Sequence, residues 1–393
     1  MKKLVLLPSL IALVLSLPQQ VCGEAMDTLK LTHRVGLDFR PAYLVQDEPL
    51  FKGENEAGKP MRYGLSAHLK YSFQFNEQSR FGRLYPHAYQ GIGFSYNSFG
   101  NQQELGSPVA LYLFQGSRIA SLSSTLSLDY EWNFGASFGW KRYDREQNPH
   151  NGVVGSKINA FLGLGFLLNW QLAPQWRLTA GVDLSHFSNG NTRYPNQGVD
   201  LIGGRVGVVH LFGAGSRGNR TTTFFPAEPF QSTFSYDLIL YGATRKRAVL
   251  NVTDPYMIPG SFGIAGMNFT PMYSFSRYFR AGLSLDAQYD ESANVVYHYA
   301  GGGPENPKFY RPSFREQFAV GLSARAEWVM PIFAVNVGIG YNVLQKGEDT
   351  KGWYQVVALK SFVTHHLFLH VGYQLSKFKD PNNLMLGLGW RFQ

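Results

Sequence analysis

The chain has 393 residues, a net charge of +9 and a single cysteine, Cys22. One cysteine excludes a disulfide-built scaffold, and the basic balance points to nucleic acid or an anionic membrane surface. Aromatics at 15% and 42 glycines favour many strands with close backbone packing over helices.

At the start, Lys2 and Lys3 precede an apolar run over residues 4–17 that is broken once by Pro8. Small residues at Gly23 and Ala25 offer cleavage points, so residues 1–25 are expected to be an export signal. The run is too short for a good membrane helix. Cys22 falls inside it, and export argues against nucleic acid as a partner. Anionic lipid, such as a phosphorylated glycolipid of an outer leaflet, fits the charge better.

Segments of alternating hydrophobicity then follow one another. Residues 63–75 alternate Leu65, Ala67, Leu69 and Tyr71 with polar partners. Over 126–138, Leu126, Leu128, Tyr130, Trp132 and Phe134 share one face, with Asp129, Glu131 and Asn133 opposite. Over 158–170, Ile158, Leu162, Leu164, Phe166, Leu168 and Trp170 face away from Asn159, Gly163, Gly165 and Asn169. This period of two, apolar on one side and polar or small on the other, is the pattern of a transmembrane β-barrel. Asp183, Glu131 and Arg205 are expected to point into its lumen.

Residues 176–212 form two strands and a loop. Val182, Leu184, His186 and Ser188 share one face of the first strand; Asp200, Ile202 and Val206 share one face of the second. In a hairpin symmetric about Arg193, His186 falls opposite Asp200, within side-chain reach. A serine hydroxyl needs a neighbouring base, histidine titrates near neutrality, and a carboxylate fixes the imidazole tautomer. Such a group on an apolar face suits an ester arriving laterally from lipid. One polar residue at the end of a strand is commonly only the rim of the hydrophobic band; three such groups on one face are a stronger signal.

Residues 214–231, rich in Ser, Gly, Arg and Thr with two prolines, read as a linker or long turn between residues 26–213 and a second half, residues 232–393. The second half echoes the first. Leu184-Ser185-His186-Phe187-Ser188 and Pro195-Asn196 return as Leu375-Ser376-Lys377-Phe378-Lys379 and Pro381-Asn382, and Glu131-Trp132 returns as Glu327-Trp328. Lysines replace the histidine and serine, so the second repeat is expected to be degenerate. His365, His366 and His370 read as solvated barrel histidines, with no metal expected. At the C-terminus Leu384, Leu386, Leu388, Trp390 and Phe392 share one face, resembling an outer-membrane assembly signal displaced by the final Gln393. Two all-β architectures fit: a single transmembrane barrel of about 14–18 antiparallel strands, or two tandem eight-stranded barrels. The single barrel is slightly preferred, because two small barrels must each close alone.

The stretch His186-Phe187-Ser188-Asn189, the turn Pro195-Asn196-Gln197-Gly198 and an acid at residue 200 resemble the lipid A 3-O-deacylase family, outer-membrane barrel esterases also described as acyloxyacyl hydrolases. The resemblance implies Ser188 as nucleophile, His186 as general base, Asp200 as orienting acid and Asn196 in oxyanion stabilisation. The bland alternative for Asn189, Gly190, Pro195 and Gly198 is that they are plain turn residues, a reading preferred for Asn189. The family's usual acid is glutamate; aspartate is one methylene shorter. The function implied is deacylation of lipid A, or lipopolysaccharide, at the Gram-negative outer membrane. No cofactor is needed, outer-membrane lipids are the surroundings, and a homodimer is left open. The competing readings are a channel, or a barrel that binds glycolipid without catalysis.

Overall fold

The computed structural model describes residues 31–45, 48–76, 79–213, 229–249, 256–299, 307–377 and 380–393. The expected export signal, Cys22, most of the linker, and Phe378 and Lys379 lie outside the described residues. Strand β1 (Thr32–Leu44) is followed by β2 (Tyr63–Gln74), β3 (Tyr89–Ser98), β4 (Gly106–Ser121), β5 (Leu126–Trp140), β6 (Ile158–Ala173), β7 (Trp176–Ser188) and β8 (Val199–Gly213). Consecutive strands pair antiparallel, and β8 returns to β1 to close an eight-stranded barrel.

The second half runs through β9 (Phe234–Arg245), a two-stranded sheet of β10 (Ala248–Val249) and β11 (Tyr256–Met257), β12 (Phe262–Ser274) and β13 (Phe279–Asp290). A second small sheet of β14 (Val296–Tyr299) and β15 (Pro307–Tyr310) precedes β16 (Phe318–Val329), β17 (Phe333–Leu344), β18 (Trp353–Phe362), β19 (Leu367–Ser376) and β20 (Asp380–Phe392). Strands β9, β12, β13 and β16 to β20 close a second barrel of eight, with β20 pairing back onto β9. The preference for one large barrel is therefore corrected. Thr32 pairs with Gly213 at one end of the β1–β8 seam and Leu44 with Leu201 at the other, so no edge is left open for β9. A closed seam satisfies every backbone group in lipid, which an open sheet does not.

The alternation sorts side chains as expected. Leu162, Leu164, Phe166, Leu168, Val182 and Leu184 are exposed on the outside of the first barrel. Aromatic residues mark two levels of this surface: Trp170, Trp176 and Phe212 near the tight turns, and Tyr43, Tyr63 and Tyr96 near the long loops. Apolar bands flanked by aromatic girdles are what a bilayer selects.

Each interior is filled by charge. In the first barrel Arg205 meets Asp38 at 2.8 Å and Glu131 at 2.7 Å; Lys70 reaches Asp38 at 2.8 Å and Glu131 at 3.1 Å; Arg40 reaches Asp183 at 3.1 Å. In the second, Arg391 meets Asp237 and Glu327 at 2.7 Å, Lys360 meets Asp237 at 2.7 Å, and Arg325 meets Asp286 at 2.8 Å. Two expectations are revised here. Glu131 stands on the fifth strand of its barrel and Glu327 on the fourth of its own, so the Glu-Trp echo is not a repeat equivalence. His370 is buried inside the second barrel rather than solvated.

Candidate active site

The chain beyond Val182 on β7 decides the site. Its inward residues anchor it: Phe187 is buried against Phe161 (centroids 5.0 Å apart) and Trp140 (5.3 Å) in an apolar cluster that also holds Phe99, Val153 and Val199. Truncating a buried phenylalanine to alanine costs about 3–5 kcal/mol, so this anchor is strong. With Phe187 fixed inward, the pleat turns His186 and Ser188 outward, at the level of the Tyr43–Tyr63 girdle.

His186 lies opposite Asp200 in the β7–β8 register, as hairpin symmetry about Arg193 expects. Its Nδ1 is 2.6 Å from Asp200 Oδ1. The shorter aspartate therefore reaches the imidazole. A carboxylate only accepts, so Nδ1 donates in this contact and Nε2 is the ring nitrogen that Asp200 does not engage. The two side chains are 36% and 52% exposed, which places the contact on the outer surface and not in the lumen.

Ser188 is half-buried at the end of β7, with Ala160 of β6 as its cross-strand neighbour. Among the described residues no side-chain hydrogen bond joins it to His186. Both side chains border Gly198: a methyl placed on Gly198 would stand 3.0 Å from His186 Cε1 and 3.6 Å from Ser188 Cβ. Gly198 has φ +84°, a conformation that a side chain resists, so this turn residue also presents bare backbone to the imidazole edge.

The loop between the strands holds itself. Asn196 Oδ1 accepts from Asn189 N at 2.7 Å, and Asn196 Nδ2 donates to Asn191 Oδ1 at 3.1 Å. Asn189 Oδ1 accepts from Arg193 N at 3.2 Å, which makes Asn189 a turn residue as expected. Asn196 is thus engaged in shaping the loop, with one amide N–H committed to Asn191. Asp183, Glu131 and Arg205, read as lumen groups, are buried inside the barrel and belong to its ion network.

In the second barrel the echo of this hairpin is built differently. Strand β19 ends at Ser376, and Lys377 follows in a left-handed conformation with φ +51°. The position that corresponds to His186 is thus off the strand. Asn382, the echo of Asn196, lies on β20 and its Oδ1 accepts from Arg245 Nη1.

Sequence neighbours agree with this division into two halves. Residues 61–209 match the family model described as lipid A 3-O-deacylase (PagL), and residues 234–393 match that of the acyloxyacyl hydrolase C-terminal domain. No curated protein matches the chain. Among solved structures, Neisserial surface protein A is 11% identical, with 46% of this chain and 97% of that chain covered and a TM-score of 0.32. An outer membrane channel from Pseudomonas putida F1 is 9% identical over 95% of this chain and 99% of that chain, with a TM-score of 0.22. The siderophore receptor PirA from Acinetobacter baumannii is 8% identical over 88% and 68%, with a TM-score of 0.24.

Proposed function

The chain belongs to the lipid A 3-O-deacylase family, and from that premise we propose that it is a serine esterase in which Ser188, His186 and Asp200 cleave an acyl ester of lipid A. Lipid A deacylation at the Gram-negative outer membrane is the family's activity and place; the residues that perform it here are the proposal. The observation that carries it is the 2.6 Å contact between His186 Nδ1 and Asp200 Oδ1, outward on the barrel with Ser188 on the same face.

In this reading the scissile ester enters from the outer leaflet at the girdle. His186 Nε2 takes the proton of Ser188 as Oγ attacks the ester carbonyl. Asp200 holds the Nδ1 proton and stabilises the imidazolium. The tetrahedral intermediate collapses as its bond to the sugar oxygen breaks, and His186 returns the proton to that leaving alkoxide. Water, activated by the same imidazole, then cleaves the acyl-enzyme and releases the fatty acid. Asn196 is proposed to assist the oxyanion through the amide N–H not used by Asn191. Cleavage of the export signal, with the 26–213 repeat carrying the active site and the 232–393 repeat silent, completes the proposal.

The channel alternative is disfavoured by the charged side chains that fill the interior of each barrel. The decisive experiment is mass spectrometry of lipid A after incubation with the purified protein, beside Ser188→Ala. Loss of one acyl mass with wild type and none with the variant is expected. Equal deacylation by folded Ser188→Ala sinks the serine mechanism. Saturable glycolipid binding without product in wild type favours the non-catalytic barrel.

A further inference from the structure

We infer that the loop between β5 and β6 is a positioning device for the candidate catalytic pair, acting through Asn151, Val153 and Gly155 on Gly198; this rests on the serine reading of the site. The chain of contact starts at Asn151, which is fully buried. Its Nδ2 donates to Glu104 O and Lys141 O, each at 2.8 Å, and its Oδ1 accepts from Val153 N at 3.2 Å and Val154 N at 3.0 Å. One amide thus ties the β5–β6 loop to its own stem and to the β3–β4 loop. Asn148 repeats the tie, donating to Glu104 O at 2.8 Å. The Glu104 carboxylate in turn accepts from Glu56 N at 3.3 Å, which brings in the β1–β2 loop.

From this lattice two contacts reach the β7–β8 loop. Val153 O accepts from Gly198 N at 3.2 Å. Gly155 lies so close to the next turn that an added methyl would stand 2.5 Å from Tyr194 O and 2.6 Å from Pro195 O, where ordinary contacts begin at 3.4 Å. Backbone fills both sides of that gap, so no flexible side chain can yield. The β5–β6 loop therefore sets where residues 194–198 lie, and Gly198 sets what stands against the edge of His186 and beside Ser188. These residues act by holding the backbone around His186 and Ser188.

The test compares two identical substitutions in one loop. At Gly155 alanine must push the 194–195 backbone by nearly the full shortfall, whereas at Gly152 an added methyl meets nothing within 4 Å. Displacements of about 1 Å cost on the order of a hundredfold in rate. Gly155→Ala is expected to lose about that factor in kcat with KM changed less than about threefold, and Gly152→Ala to match wild type. The second readout is the rate at which a small fluorophosphonate labels Ser188, which needs no lipid. It should fall with kcat in Gly155→Ala only, while heat-modifiable gel mobility shows both barrels native. Wild-type kcat and labelling in folded Gly155→Ala overturn the inference, as does an equal loss in Gly152→Ala. If Gly155→Ala does not fold, Asn151→Ser decides on the same two readouts, since serine's single hydroxyl hydrogen cannot serve both Glu104 O and Lys141 O. If the probe fails to label Ser188 in wild type and Ser188→Ala still deacylates, the serine reading itself is at fault and takes this inference with it.

Discussion

The β7–β8 hairpin of the first barrel and the β19–β20 hairpin of the second share the leucine, serine and phenylalanine of a five-residue stretch and end as different objects. In the first, the strand runs on through His186 to Ser188 because Phe187 is gripped from inside by Phe161 and Trp140. In the second, the strand stops at Ser376, the pairing with β20 slips at Gln374/Leu375, and Lys377 turns into the left-handed region. The first strand continues through His186, where a base faces an acid in register, whereas Lys377 at the corresponding position lies past the end of β19. The second hairpin thus differs from the first in backbone as well as in side chain: lysine stands at the histidine position, and that residue lies past the end of its strand.

The largest expected effect removes the chemistry from the first hairpin. Ser188→Ala and His186→Ala should each lower lipid A deacylation by at least about a thousandfold, and the double variant should be hardly worse than either, because groups acting as one unit lose their effect together. Fatty-acid release measured on protein with native gel mobility checks this. Multiplying losses in the double variant would mean that the two act separately. The reverse substitution sharpens the contrast. Lys377→His with Lys379→Ser in a Ser188→Ala background should restore no activity, since residue 377 lies past the end of its strand.

Asp200 comes next in size. Asp200→Asn should cost about one to two orders of magnitude less than Ser188→Ala, as an orienting acid is more dispensable than the nucleophile. Asp200→Glu should stay within about tenfold of wild type, because the added methylene lies on an exposed outer surface with room to bend. A loss in Asp200→Glu as large as in Ser188→Ala would show that the short aspartate is required in place.

Much of the first hairpin was legible in the chain itself. The pleat has a period of two, so a polar group at every second position of an apolar face announces its own side. A loop symmetric about Arg193 then puts His186 opposite Asp200. The number of barrels was not legible. Alternation belongs to each strand separately, whereas closure depends on whether β8 meets β1 or β9, and nothing in the residues of β8 states which. The Glu131-Trp132 and Glu327-Trp328 echo misled for a related reason: matching dipeptides fix a facing, not a strand number. The parts proposed for Asn151, Val153 and Gly155 were hidden because loops carry no periodicity. A burial of asparagine beside two glycines reads as ordinary turn composition until the partner backbone is in view.

The two interiors invite a matched test of how separately the halves stand. Arg205→Met leaves Asp38 and Glu131 short of a cation in the first barrel, and Arg391→Met does the same to Asp237 and Glu327 in the second. Removing one member of a buried ionic cluster typically destabilises by about 3–5 kcal/mol. Each variant should lower the denaturation midpoint of its own barrel only, read as two transitions in detergent by tryptophan fluorescence and protease resistance. One shared transition that moves with either substitution would show that the barrels do not unfold independently.

The smallest expected effect belongs to the second hairpin. Lys377 is exposed at the loop end of its barrel, with its backbone N–H held by Trp353 O at 3.1 Å, so its ammonium group is displayed from a fixed backbone. Loop ends are where a Gram-negative outer leaflet carries its anionic groups, and a lysine near such a surface contributes about 1 kcal/mol of attraction. Lys377→Ala should therefore weaken association with lipid A vesicles by about fivefold, and the loss should shrink as salt is raised, because exposed charges are screened. The chemical step on detergent-dispersed substrate should be unchanged, since no residue of the candidate site is touched. If Lys377→Ala abolishes hydrolysis in a correctly folded protein, the second hairpin takes a direct part in the reaction, and the division of labour between the two hairpins is wrong. If binding and its salt dependence are both unaltered, the lysine is only the residue that ends the strand.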